Sequence, residues 1–145
     1  MRLDQKIVAL NAQDLLRVLE PEALHVLAFS ALPRRLNAGE ELFRQGETAD
    51  GGYVVVAGRL SVSLTGVAIE TDDQLGPGGL VGQAALFAPI TRPQTVIALE
   101  PSDLLFIPQS LMRRVLEEHP VSARRLQTHI AEALGVVRAQ LGALA

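Results

Sequence analysis

The chain has 145 residues, 48% of them hydrophobic, which is the size of one globular domain around a single core. Lys and Arg number 13 against 16 Asp and Glu, a net of 13 − 16 = −3, so there is no strong positive field to hold a nucleic-acid backbone. The absence of cysteine excludes disulfides, thiolate nucleophiles and cysteine metal sites, and makes a cytoplasmic location the expectation.

From Met1 to Leu10 the sequence mixes Arg2, Asp4 and Lys6 with isolated apolar residues, which is not the apolar stretch of an export signal. The longest apolar runs, such as Tyr53 to Ala57, are strand-length and too short to span a membrane. Leu15, Leu16 and Leu19, then Leu24, Leu27 and Ala28, recur at three- and four-residue spacing, predicting two short packed helices divided by Pro21. Pro21 and Glu22 fit a helix start, and Pro33 marks the exit.

Ten of the twelve glycines fall between Gly39 and Gly82, so the middle of the chain is predicted to be turn-rich β structure. Strands are expected at 41–43, 53–57, 60–64, 67–69, 95–99 and 104–107, a spacing suited to an antiparallel barrel or sandwich. In the run Leu60, Ser61, Val62, Ser63, Leu64 the alternation sends the leucines and Val62 to a core and the serines to water. Gly46, Gly51, Gly52 and Gly58 are expected at strand ends that need positive φ or close approach.

After Pro108 the period becomes helical through Leu111, Val115 and Leu116, breaks at Pro120, and resumes toward the C-terminus. Ile130, Leu134, Val137, Leu141 and Leu144 are spaced 4, 3, 4 and 3, a short heptad-like stripe able to pack within the chain or against a second copy. Gly135 and Gly142 each weaken that helix by about 1 kcal/mol relative to alanine, so it needs a surface to lean on.

Three segments together resemble the cyclic nucleotide-binding domain family, of the Crp/Fnr-like type found in bacterial regulators. Asn37-Ala-Gly-Glu-Glu-Leu-Phe-Arg-Gln-Gly-Glu-Thr-Ala-Asp50, followed by Tyr53 and Gly58, is similar to the family's opening strands, with Ala38 where the family has proline. Leu75 to Thr95 resembles the phosphate-binding cassette, and Ala98 to Pro108 leading to Glu117-Glu-His-Pro120 resembles the last strand and following helix. The resemblance implies a mainly β fold, an antiparallel β-roll or jelly-roll barrel with helices packed at both ends. It assigns residues 1–36 to N-terminal helices, 37–108 to the β-roll with the cassette at 80–95, and 109–145 to C-terminal helices.

In this family a short helix N-terminus and an arginine neutralise the cyclic phosphate, and a glutamate takes the ribose hydroxyl; helix-start N–H groups and a guanidinium fork suit phosphate oxygens. The resemblance places Gly82 at the family glycine, Ala84, Ala85 and Leu86 in the short helix, and Arg92 at the phosphate arginine. Gln83 stands where the family has glutamate, which weakens the hold on a ribose hydroxyl, and Pro93 has no N–H to give where serine or alanine is usual. At about 1 to 2 kcal/mol each, the two departures would weaken binding about thirty- to a thousandfold. Thr91, Gln94 and Thr95 offer donors in compensation, and neutral Gln83 admits anions of other kinds. The opposing reading makes Arg92 a surface arginine paired with a carboxylate in a barrel kept only for packing. Thr128, His129 and Arg138 are candidates to cap a base.

No P-loop lysine, glycine-flanked serine elbow or zinc-type histidine pair is present, so no enzymatic activity, metal or cofactor is expected. From Pro120 only 145 − 120 = 25 residues remain, enough for a connecting helix but not a helix-turn-helix reader, so DNA binding by this chain is not expected. The sequence therefore predicts a stand-alone cytoplasmic regulatory module whose ligand is cyclic AMP, cyclic GMP or a related anion. Its output would be a change of protein partner or of dimerisation through the C-terminal helix. The alternative is a ligand-free scaffold for protein–protein contact.

Overall fold

The structure, a computed structural model, describes residues 1–63 and 73–143, with side chains up to residue 133. Among the described residues, helices α1 (Leu3–Asn11) and α2 (Pro21–Ser30) precede ten strands, and α3 (Gln109–Glu118) and α4 (Pro120–Ala143) follow them. One four-stranded antiparallel sheet runs β1 (Leu32–Leu36), β10 (Ser102–Pro108), β4 (Gly51–Ala57), β7 (Leu80–Val81). A second runs β2 (Glu41–Phe43), β9 (Thr95–Ala98), β5 (Leu60–Ser63), β6 (Asp73–Leu75), and β3 (Thr48–Ala49) pairs with β8 (Ile90–Thr91).

The period-2 alternation of β4 and β10 divides the interior in two. Tyr53, Val55 and Leu104 point into the roll with Leu36, Leu60 and Val96, while Val54, Leu105 and Ile107 point to the helices, meeting Leu10, Leu27 and Met112. A sheet covered on both faces explains why Tyr53 to Ala57 reads as a continuous apolar run rather than an alternation.

Four differences from the sequence reading have physical causes. α1 was not foreseen, although Leu3, Ile7 and Leu10 lie at i, i+4 and i+7; Leu10 is fully buried against the other N-terminal elements. Leu15 to Leu19 forms only a 3-10 turn at Leu16–Val18: Oε1 of Gln13 caps its start by accepting the N–H groups of Leu15 and Leu16, and the turn stops where Leu19 and Glu20, ahead of Pro21, are extended. The first strand starts at Leu32, ahead of the expected 37, since Pro33 lies on the edge strand β1, where a missing donor is tolerated. Ser61 and Ser63, expected in water, are both 1% exposed. Ser61 lies in register between Ile97 and Gln74, and Ser63 beside Thr95, so the neighbouring strands cover side chains this short.

Pro21 does occupy the first helical position of α2, and Pro120 opens α4 as the sequence predicted a break there. The expected strand at 67–69 and Leu144 lie outside the described residues, as do the side chains of Leu134, Val137, Arg138 and Leu141. Among the described residues no helix is long and apolar enough to cross a membrane.

Candidate functional site

β4 and β7 pair through Tyr53–Val81 and Val54–Leu80, which delivers the chain to Gly82. Gly82 adopts a left-handed conformation (φ 78°, ψ 41°) and caps a 3-10 turn over Gln83–Leu86. The N–H of Ala85 donates to the Gly82 carbonyl at 3.0 Å, leaving the first N–H groups of the turn without intrahelical acceptors. Gly52 has no side chain because a Cβ there would press on Leu86 at 3.1 Å and the Gly82 carbonyl at 3.2 Å.

Arg92 follows β8 and is clamped by its backbone. Its N–H donates to the Glu47 carbonyl at 2.7 Å, and its carbonyl accepts the Gly46 N–H at 2.8 Å. Oγ1 of Thr95 accepts the Gln45 N–H at 3.0 Å, fastening the same loop to the β2–β3 turn.

The Arg92 side chain is 5% exposed. Its Nη2 donates to the Gly51 carbonyl at 3.0 Å, and its Cζ lies 4.0 Å from the centre of the Phe43 ring and 5.9 Å from that of Tyr53. Nη1 is buried without a hydrogen-bond partner, and among the described residues no carboxylate forms a salt bridge with this guanidinium. Burial pushes the Arg92 pKa down, and Tyr53, Asp50 and Glu47 act against that shift. The reading of Arg92 as a surface arginine held by a carboxylate is therefore incorrect: an aromatic face and one carbonyl hold it inside the roll.

A cavity of about 240 Å³ opens beside it, lined by Phe43, Val81, Gly82, Gln83, Ala84, Ile90, Arg92, Pro93, Gln94 and Val96. Six of the nine residues singled out from sequence meet there: Gly82, Gln83, Ala84, Arg92, Pro93 and Gln94. Ala85 and Leu86 instead turn into the interior, both almost fully buried, and the Thr95 hydroxyl is engaged with Gln45. Thr128 and His129 line a separate cleft with Arg17 and Arg124, away from this cavity.

Sequence reasoning missed Phe43 and Tyr53 as neighbours of the arginine. A signal existed: the chain has only four Phe and one Tyr, and two of those five sit in the segment leading to Gly58. Phe43, Tyr53 and Phe106 form a chain of tilted ring contacts with centroids 6.3 and 4.8 Å apart.

On its far side the Gln83–Leu86 turn meets the C-terminal helices. Nε2 of Gln109 donates to the Phe87 carbonyl at 3.0 Å, and a groove of about 360 Å³ runs between Leu86, Phe87, Met112, Leu116, Leu126 and Ile130.

Two antiparallel sheets, terminal helices and a buried arginine behind a left-handed glycine turn define a β-roll with a cationic cavity wall. The chain belongs to the cyclic nucleotide-binding domain family, which residues 33–119 match. It is 35% identical, with a TM-score of 0.67, to a cyclic nucleotide-binding-like protein from Brucella abortus, over 77% of this chain and 97% of that one. The N-terminal domain of a transcriptional regulator from Streptomyces coelicolor A3(2) is 27% identical with a TM-score of 0.82, covering 92% and 94%. Among curated relatives, lysophospholipase nte1 of Aspergillus fumigatus is 34% identical over 88 residues, which is 59% of this chain but 6% of that protein. The chain thus spans a small part of the curated relatives it matches.

Proposed function

We propose that this chain is a regulatory sensor domain without catalytic activity of its own. It binds cyclic AMP, cyclic GMP or a related small anion at Arg92 and signals by rearranging its C-terminal helices. The observation that carries this reading is the buried guanidinium whose Nη1 has no partner at the wall of a cavity. A buried cationic donor without a partner is costly, and an anion is the group that would satisfy it.

Nη1 has no exposed surface, so an anion reaches it only when the Gly82 turn or the arginine shifts. Four residues beyond Gly82, Leu86 belongs to the same buried cluster as Met112 and Leu126. Displacement of the turn is therefore felt by α3 and α4, and a ligand that prefers the displaced arrangement shifts the population toward it. The output is a change of protein partner or of pairing between copies through α4.

Calorimetric titration of protein stripped of ligand by unfolding and refolding, with cyclic AMP and cyclic GMP in parallel, tests the reading. Micromolar binding of either supports it, and Arg92→Ala should abolish that binding. Silence with both, and with inorganic phosphate, would favour the second reading, a ligand-free scaffold. That reading draws on Phe29 and Leu32, which are 72% and 54% exposed at the junction of α2 and β1.

A further inference from the structure

We propose that Phe43 is the positioning residue of this site, holding Arg92 by its face so that Nη1 keeps an unused donor for an anion that displaces the Gly82 turn covering it. This inference rests on the ligand reading above and adds a residue to it.

A guanidinium can be held in two ways inside a protein. A carboxylate binds its edge, consumes its N–H donors and cancels its charge, whereas an aromatic ring takes the flat face and leaves every in-plane donor available. Here the ring centre of Phe43 is 4.0 Å from Cζ of Arg92. One edge donor, Nη2, is used by the Gly51 carbonyl, and Nη1 is unused. The nearest competing acids do not take it: Glu41, on the same strand as Phe43, is engaged by Nε of Arg44 at 2.6 Å, and Asp50 and Glu47 are exposed. Phe43 is itself 8% exposed and packed in the inner core beside Tyr53. It also lines the cavity, which brings ring, cation and anion space together. The consequence is a guanidinium held without a salt-bridged acid among the described residues, so a ligand has the Gly82 turn to move but no acid to displace.

The test compares wild type, Phe43→Leu and Phe43→Tyr. Side-chain N–H resonances of Arg92, assigned with Arg92→Met, report the ring directly. They should be shifted upfield by the ring current in wild type and in Phe43→Tyr, and lose that shift in Phe43→Leu. Calorimetry with cyclic AMP should show about a tenfold loss for Phe43→Leu, equivalent to about 1.4 kcal/mol. Phe43→Tyr should stay within about twofold, because its ring presents the same face. Absence of the ring-current shift in the wild-type domain overturns the proposal whether or not Phe43→Leu folds. Wild-type affinity in a folded Phe43→Leu overturns the role of Phe43 alone. Failure of wild type to bind cyclic AMP, cyclic GMP and inorganic phosphate overturns the ligand reading, and with it the anion role given to Phe43.

Discussion

Gly82 and Arg92 exclude one another's side chains: a Cβ on Gly82 would overlap Nη1 of Arg92, and Gly82 is also left-handed at φ 78°. Two independent constraints thus meet at one residue. Gly82→Ala is expected to lose at least the about 1 to 2 kcal/mol that a left-handed alanine costs, and to push the guanidinium off Phe43. Chemical denaturation measures the first effect and loss of the Arg92 ring-current shift the second. A variant with wild-type stability and an unmoved arginine would mean that the turn relaxes freely.

The depressed pKa of Arg92 carries a definite sign. Burial makes the charged form less favourable in the folded state than in the unfolded one, so the charge costs stability below the folded pKa, and that cost fades only as pH rises through it. Across roughly pH 5 to 9 the guanidinium stays protonated, so the penalty is constant there. Arg92→Met should therefore leave the ligand-free domain as stable as wild type, or more stable by up to about 2 kcal/mol, while removing anion binding. Thermal melts with and without cyclic AMP test both halves, and a loss above about 2 kcal/mol would show the arginine to be a structural strut.

Ser122 ties the start of α4 to the start of α2. Its Oγ accepts the Glu20 N–H at 2.8 Å and donates to Glu20 Oε1 at 3.1 Å, and the residue is fully buried. Ser122→Ala strands the Glu20 N–H and should cost about 1 to 3 kcal/mol, seen as a lower urea midpoint at unchanged slope. A cost under about 0.5 kcal/mol would indicate that water takes the hydroxyl's place.

Gln83 and Pro93 both line the cavity, and each is expected to weaken the hold on a cyclic nucleotide. Gln83→Glu and Pro93→Ala should each raise cyclic AMP affinity about five- to thirtyfold, from about 1 to 2 kcal/mol of restored hydrogen bonding. The gain from Gln83→Glu should vanish with 2′-deoxy cyclic AMP, whereas that from Pro93→Ala should persist. A Gln83→Glu gain equal for both nucleotides would place residue 83 away from the ribose hydroxyl.

Much of the architecture was legible because it is written in local chemistry. Glycine clustering marked the β region, proline marked the starts of α2 and α4, and the motif spacing from Asn37 to Pro120 pointed to the family that residues 33–119 match. The buried serines of β5 were misread, since alternation reports two faces but not what neighbouring strands lay over them. The helix expected at Leu15 to Leu19 is cut to a single 3-10 turn because Leu19 and Glu20, ahead of Pro21, are extended.

The sequence by itself determined the family and a glycine-rich β region between terminal helices, because periodicity, turn residues and motif spacing are properties of neighbours along the chain. Only the tertiary structure decided the state of Arg92. Its partners, Phe43 and the Gly51 carbonyl, lie 49 and 41 residues upstream, as 92 − 43 = 49 and 92 − 51 = 41. Burial and an aromatic face arise from strands that meet only on folding, and these set whether an arginine is a surface charge or a buried one.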